Sequence, residues 1–475
     1  MLHSIKESPA RGVPSWMIWL VSSYGWLLFL TVYFIGHFFL RISYSSSFQI
    51  DGAEQVVLAQ TMKWNYGNFQ PPLFTWIVNG LWRMFPISVE SFVLLRYLIL
   101  FGVFWLWRLV AIELFKNPAR QLLATVSWLL VYDFTWKLHQ GSTHTTLMML
   151  ALLMSFYAML MILKNRDIKW YALLGLSIGL GVSSKYSFVG FVLSALIAGL
   201  LVKEVREAIL TSKIILTIPL ALFFSIPALE SIVLDAESFF HGLNGQLGHS
   251  AYKNDFVINE AFISLFNAIA EYCGLTIILL LIAGGVFNIK RDEKDWLLTW
   301  MAYLFFVGVI ILLSMIFLFD AQSFKARWLH PFLWFFPFLV LRLMVDTSKP
   351  RQGIVVLTSA LTLLLLVYAL RIIQLSGFEY LDRKPSKLSW PIVQAIEKIN
   401  FNDFRGADLS TRNMYLAAHV ILVTKGAVKI NVSSEPGGIE LFGDVFYGPS
   451  ETGINKNSVE SQRGNVGYRI GWRRL

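Results

Sequence analysis

Apolar runs, each near the length needed to cross a lipid bilayer, recur along most of this 475-residue chain and leave few folds open to it. A hydrocarbon core of about 30 Å takes about 20 helical residues to span. In lipid every backbone N–H and C=O must be satisfied inside the protein, so the runs predict a bundle of transmembrane helices. Composition agrees: 56% of the residues are hydrophobic and 15% charged, more apolar surface than a water-soluble core can hide. We read spans at 16–40, 91–115, 121–138, 145–163, 170–184, 187–202, 213–232, 273–288, 296–319, 328–344 and 353–374, about eleven in all. Those within 170–202 are short enough to pair as a hairpin or to be re-entrant. The first run is too long for a cleaved signal peptide and has no small-residue cleavage site, so it reads as a signal anchor.

Orientation follows from the basic residues of the short loops, which favour the cytoplasm. With the N-terminus inside, Lys116, Arg120, Lys164, Arg166, Lys203, Lys213, Lys290, Arg291, Arg342 and Lys349 all lie on that side. The formal net charge of +10 then reflects topology and anionic headgroups. No basic arm with interleaved stacking aromatics points to nucleic acid. The single cysteine, Cys273, excludes an intrachain disulfide and a cysteine metal cluster.

Three segments are long and unsuited to lipid: a first loop at 41–90, a second at 233–272, and residues 376–475. All three face away from the cytoplasm on this topology. Residues 1–375 therefore form the membrane domain. The last hundred or so change composition: a helix-like stretch from Pro391 to Lys398 precedes strand-like Val420–Val423 and Ala427–Ile430, separated by turn residues. This predicts a small soluble α/β domain. Two outward loops and an outward domain over a bundle make a site at the membrane surface, open to lipid and to water.

The chemistry-bearing residues begin in the first loop. Asp51 and Glu54 are three apart and share a face of any short helix there, although acids can also serve only to keep a loop helix in water. Trp64, Tyr66 and Gln70 follow, with Pro71 and Pro72 fixing the backbone after Gln70; aromatics at this level also suit an interfacial belt. Lys185 sits between two apolar runs, and a lysine at the centre of a span costs about 2.5–3.5 kcal/mol, so it is either functional or snorkelling to the headgroups. Arg327, beside Lys325, is a cation or an interfacial anchor. Arg96 falls inside the second span and either binds an anion or pairs with a neighbouring helix. His139 and His144, with Asp133, are candidate ligands of a divalent metal together with the first-loop acids; otherwise they are hydrogen-bonded loop histidines, as are His241, His249 and His330. No H-E-x-x-H, P-loop or nucleophile elbow is present, which argues against a zinc protease, a cytoplasmic ATPase and a serine hydrolase.

Four motifs in order carry a family resemblance: Asp51-Gly-Ala-Glu54, Gln70-Pro-Pro-Leu73 with Trp76, Gly179-Leu-Gly-Val-Ser-Ser-Lys185-Tyr186, and Arg327-Trp-Leu-His-Pro331. Over roughly residues 15–345 the chain resembles glycosyltransferase family 39, the group of the protein O-mannosyltransferases and the bacterial lipid A aminoarabinose transferases. The resemblance implies a GT-C fold, a polyprenyl-phosphate-linked sugar as donor, a lipid, glycan or protein acceptor, and an extracytoplasmic active site with Asp51 as its carboxylate and Glu54 as helper. Donor contacts are then expected at Gln70, Lys185, Tyr186 and Arg327, with Arg96 a further candidate from its place inside a span. The compact outward domain suggests a bacterial inner membrane, although the endoplasmic reticulum would present the same topology. Many members have Lys where this chain has Gln70, which hydrogen-bonds a phosphate but cannot neutralise it; cation duty would then fall to Lys185 or Arg327. A transporter or flippase of a lipid-linked glycan is the alternative, though the paired broken spans of many transporters are not evident.

Overall fold

The computed structural model describes residues 15–66, 70–247, 258–282, 295–343, 350–376, 386–433, 438–447, 458–463 and 466–474. His249 and the loop residues Lys290, Arg291 and Lys349 lie outside them. Seven described helices are long and apolar enough to cross a membrane: Ser23–Tyr44, Val89–Leu114, His144–Asn165, Ile214–Leu234, Ile258–Ile278, Trp296–Phe319 and Leu357–Leu375. An eighth results if Phe188–Leu201 and Lys203–Ile209, bent by 115°, are one span. The chain is an integral membrane protein of helical class with a small C-terminal sheet.

Burial separates the centre of the bundle from its edge. His144–Asn165 has 72% of its apolar window buried, whereas Ile214–Leu234 and Leu357–Leu375 have 22% each. Leu222, Phe223 and Val233 are consequently exposed, as lipid-facing side chains should be. Trp26, Trp107, Trp128, Trp300 and Trp334 fill the core, with Trp128 stacked on Phe104 at 3.9 Å.

Several expected spans are broken or displaced. The run at 121–138 is not one helix: Pro118–Val126 tightens into a 3-10 turn at Ser127–Leu130 and then a π turn at Asp133–Lys137, where three polar side chains interrupt the apolar pattern. The run at 328–344 splits into His330–Leu333 and Phe336–Leu343, each with a proline in its first turn. The span placed at 273–288 begins instead at Ile258, so much of the expected loop at 233–272 is helical, including Ala236–Leu247. Glu260 and Glu271 had hidden the start of that run from a hydropathy reading.

The C-terminal sheet has the order β2-β1-β3-β5-β4, with β1 Leu409–Thr411, β2 Ile430–Val432, β3 Ile439–Tyr447, β4 Ser458–Arg463 and β5 Val466–Arg474. β1 pairs in parallel with β2 and β3, while β3, β5 and β4 are antiparallel. Helix Met414–Val423 makes the crossover from β1 to β2, as a parallel pair requires. The strand expected at Val420–Val423 is therefore helix. Asn413 starts it by accepting the N–H groups of Tyr415 and Leu416, a cap that outweighs the β-branched residues downstream.

Candidate active site

The first-loop acids stand on a helix, Ile50–Leu58, with Asp51 in its first turn, where a carboxylate complements the helix dipole. Gly52 lets that helix lie against aromatic rings: a Cβ there would sit 3.1 Å from Phe48 and 3.3 Å from Phe92. Asp51 and Glu54 are both half-buried. Four residues after Asp51, Gln55 is fully buried and joins three segments. Its Oε1 accepts from the Thr75 hydroxyl at 2.7 Å, and its amide lies 3.2 Å from His144 Nε2. This glutamine ties the acidic helix to Leu73–Met84 and to the start of His144–Asn165.

Lys185 arrives at the same place from the corner after Ile168–Ser184. The glycine that opens its motif is a packing position rather than a ligand contact: a Cβ on Gly179 would stand 2.4 Å from Phe224 Cβ, and one on Gly175, a turn earlier in the same helix, 2.5 Å from the Thr217 carbonyl. That close approach to Ile214–Leu234 fixes where the helix ends. Lys185 Nζ then donates to Thr145 Oγ1 at 2.9 Å, one residue beyond His144. Burial first, and the Arg327 charge second, push its ammonium down to about 8, while Asp51 acts in the opposite direction. Asp51 and Arg327 are thus both within electrostatic reach of Lys185, although the three come from distant segments. Arg327 is exposed on a 3-10 turn at Ala326–Trp328.

The other expected residues have different surroundings. Arg96 is buried and spans the loop before His144, its Nε donating to the Ser142 carbonyl at 3.0 Å and Nη2 to that of Leu138 at 2.7 Å; the Asp51 charge also reaches it. Tyr186 directs its hydroxyl to the Ala228 carbonyl at 3.4 Å and packs edge-on against Phe239. Gln70 is half-buried ahead of Pro72, which caps Leu73–Met84. Trp64, Tyr66 and Trp76 knit the intervening loop: Trp76 donates to the Lys63 carbonyl at 2.7 Å and meets Trp64 edge-on. His139 lies 2.8 Å from the Tyr33 hydroxyl and stacks on His37, whereas His144 faces Gln55. Among the described residues no group of three His, Cys, Asp or Glu side chains is arranged to hold a metal.

Sequence reasoning missed Gln55 and two further buried arginines. Arg41 donates to the carbonyls of Ser45 and Ser47, and Arg371 to that of His139 at 3.2 Å. A glutamine four residues after Asp51 shares its helical face, and an arginine inside an apolar run is a signal by itself; both were readable.

The C-terminal sheet domain grips the lead-in to the acidic helix. Ser45 and Ser47 donate to the carbonyls of Leu388 and Trp390, the amide of Gln49 donates to Ser386 Oγ at 3.0 Å, and the Phe48 N–H donates to His419 Nε2, also at 3.0 Å. His419 is fully buried, and its Nδ1 is 2.7 Å from the Tyr415 carbonyl, an acceptor only. One ring nitrogen must donate and the other accept, so the imidazole is neutral, and burial pushes its pKa down to about 4 against the opposing pull of the Tyr415 carbonyl. A depressed histidine pKa means that the unfolded chain binds the proton more readily. This contact therefore stabilises fully above about pH 6.5 and is lost as pH falls through about 4. His419→Leu, which leaves the Phe48 N–H buried without an acceptor, is expected to cost about 1–3 kcal/mol. His419→Gln, which retains an acceptor, should recover part of that in thermal unfolding at neutral pH; equal melting of all three proteins would show that the contact contributes nothing.

Residues 69–230 match the family model described as dolichyl-phosphate-mannose-protein mannosyltransferase. Two curated relatives come from Rhizobium johnstonii. The lipopolysaccharide core galacturonosyltransferase RgtB is 26% identical over 332 residues, covering 68% of this chain and 66% of its own length. The core galacturonosyltransferase RgtA is 29% identical over 200 residues, covering 42% of this chain and 40% of its own. The chain thus spans just under two thirds of the first and less than half of the second. Two solved structures of the Archaeoglobus fulgidus oligosaccharyltransferase, one with zinc and sulfate and one in the apo form, align with TM-scores of 0.47 and 0.48 at 13% and 12% identity. They cover 85% and 86% of this chain, and 62% and 64% of theirs. The family match and both relatives bear out the resemblance to GT-C membrane glycosyltransferases that the ordered motifs carry.

Proposed function

We propose that this chain, an integral membrane protein related to the GT-C glycosyltransferases, transfers a sugar from a polyprenyl-phosphate-linked donor to an acceptor on the extracytoplasmic face, with Asp51 as the catalytic carboxylate. The observation that carries this reading is that Asp51 and Arg327, from two distant segments, both reach Lys185 electrostatically. Two cations beside one acid suit the reaction: the bond between the anomeric carbon and the phosphate oxygen breaks, charge develops on the leaving phosphate, and fixed cations stabilise it. Where the acceptor is a hydroxyl, its oxygen attacks the anomeric carbon and its proton passes to Asp51. Glu54, one turn along, assists in holding sugar or acceptor. Gln70 hydrogen-bonds the donor, and Tyr186 and Arg96 shape the site from behind through their backbone partners.

The relatives' names favour the lipopolysaccharide core as acceptor and galacturonic acid as the sugar. The basic short loops support a cytoplasmic N-terminus with the C-terminal domain outside, and the bacterial source of both relatives supports a bacterial inner membrane. The test is transfer by purified protein from polyprenyl-phosphate galacturonic acid to lipopolysaccharide core, read by mass spectrometry. Absence of transfer from any polyprenyl-phosphate sugar, together with movement of the lipid-linked sugar across a vesicle bilayer, would replace this reading with a flippase.

A further inference from the structure

Three buried arginines come together from three helices: Arg41 from Ser23–Tyr44, Arg96 from Val89–Leu114 and Arg371 from Leu357–Leu375. Each is at most 3% exposed. Arg41 donates to the carbonyls of Ser45 and Ser47, Arg96 to those of Ser142 and Leu138, and Arg371 to the His139 carbonyl and the Gln374 amide oxygen. These acceptors are all uncharged. Among the described residues no carboxylate forms an ion pair with any of the three.

Their charges oppose one another: Arg371 acts against both Arg41 and Arg96, and Arg96 against Arg41. Asp51 is the one carboxylate among the described residues whose charge reaches the cluster, and it acts on Arg96 less than Arg371 does. Carbonyl dipoles solvate a buried cation without cancelling its charge, and charge taken out of water is tolerated when it is paired. A net positive field is therefore left inside the protein.

That field has a cavity in it. A space of about 10 Å³ is lined by Arg41 and Arg96 together with Gln49, Gly52 and Gln140. It has room for a single water-sized group, which excludes a phosphate or a sugar carboxylate. Gly52 follows Asp51 directly, so the cavity lies against the first turn of the acidic helix. We propose that this cavity holds one monatomic anion, a chloride ion, as the counter-charge of the three arginines. The ion accepts N–H groups from the two guanidinium groups in the cavity wall and lies in the field of the third. It joins Ser23–Tyr44 to Val89–Leu114 and needs no sugar, so the site stands apart from the transfer reading.

The test uses full-length protein in detergent, at fixed pH and ionic strength, with sodium chloride exchanged for sodium gluconate. Chloride should raise the melting temperature along a single-site saturation curve, by several degrees at about a hundred times its dissociation constant. Crystals grown in bromide should show an anomalous peak between Arg41 and Arg96. Arg41→Gln, which removes a charged donor, should weaken chloride about ten- to hundredfold, and Arg41→Lys less. Arg371 does not line the cavity, so Arg371→Gln should weaken chloride by a smaller factor through the lost field. Should these variants not fold, the wild-type bromide peak decides. Equal melting in chloride and gluconate, with no bromide between the two arginines, would overturn the proposal and assign the cavity to water. A rise in melting without that peak would place the ion elsewhere and sink it as well. So would an equal rise with sulfate, an anion too large for this cavity.

Discussion

Asp51→Asn is expected to lower the turnover of sugar transfer by about 100- to 10,000-fold, the range attributed to a positioned general base, with little change in thermal stability. The substitution is isosteric and leaves in place what holds the helix. Gln55 still bridges Thr75 and His144, Gly52 still lies on Phe48 and Phe92, and the contacts of residues 45–49 to the C-terminal domain are untouched. The kinetic pattern also identifies the acceptor chemistry. A hydroxyl acceptor needs its proton removed, so the loss falls on kcat; an acceptor that is already an anion needs no base, and the loss moves to KM as Asp51 becomes a sugar-orienting group. Unchanged transfer by the Asn variant, in a preparation whose wild type is active, would remove Asp51 from the chemistry while leaving the enzyme reading intact.

Lys185→Ala is expected to cost about 100- to 1,000-fold in kcat, the size seen when one group that stabilises developing negative charge is removed. Lys185→Arg should recover a measurable part of it, because the charge is restored but not the compact ammonium held by Thr145. The pH dependence separates this role from a structural one. With the ammonium pushed down to about 8, it is present below that pH and lost above it, so wild-type turnover should fall as pH rises past 8, about tenfold for each unit. Stability moves the other way. Between about 8 and the ordinary lysine value of 10.5 the unfolded chain binds more protons than the folded one, so the contribution of Lys185 to folding improves with rising pH over that window. Activity that declines above pH 8 while the melting temperature holds, and an Arg variant in which that decline is absent, would place the charge at the leaving group. An alkaline limb identical in wild type and Arg variant would assign the titration to another residue.

The membrane character was legible in the sequence because a continuous apolar run announces itself. Trp296–Phe319 fell where hydropathy placed it. What hydropathy cannot read is a helix that carries acids, as Ile258–Ile282 does at Glu260 and Glu271, or a buried stretch that need not be helical because protein rather than lipid surrounds it, as at 127–137. The Asp51 helix and the Lys185 corner could be marked as candidates from their neighbours in sequence, but their meeting point could not. It is made by Thr145, by a glycine face against Phe224 and by Gln55, which are long-range relations. The sheet strands β3 to β5 were hidden by glycines and charged residues; across β3 and β5, Glu440 lies opposite Arg473 and accepts its guanidinium at 2.8 and 2.6 Å.

The grip of the C-terminal domain on residues 45–49 also has a consequence in time. Ribosomal synthesis delivers the first-loop acids hundreds of residues before Ser386, Leu388, Trp390 and His419, the groups that hold the entry to their helix. A nascent chain can have every long apolar helix inserted and still lack the contacts that set the angle of the Asp51 turn. A segment made late thus fastens one made early, and on the proposed role of Asp51 a half-made chain in the membrane would lack its site until residues 386–419 had folded against the loop.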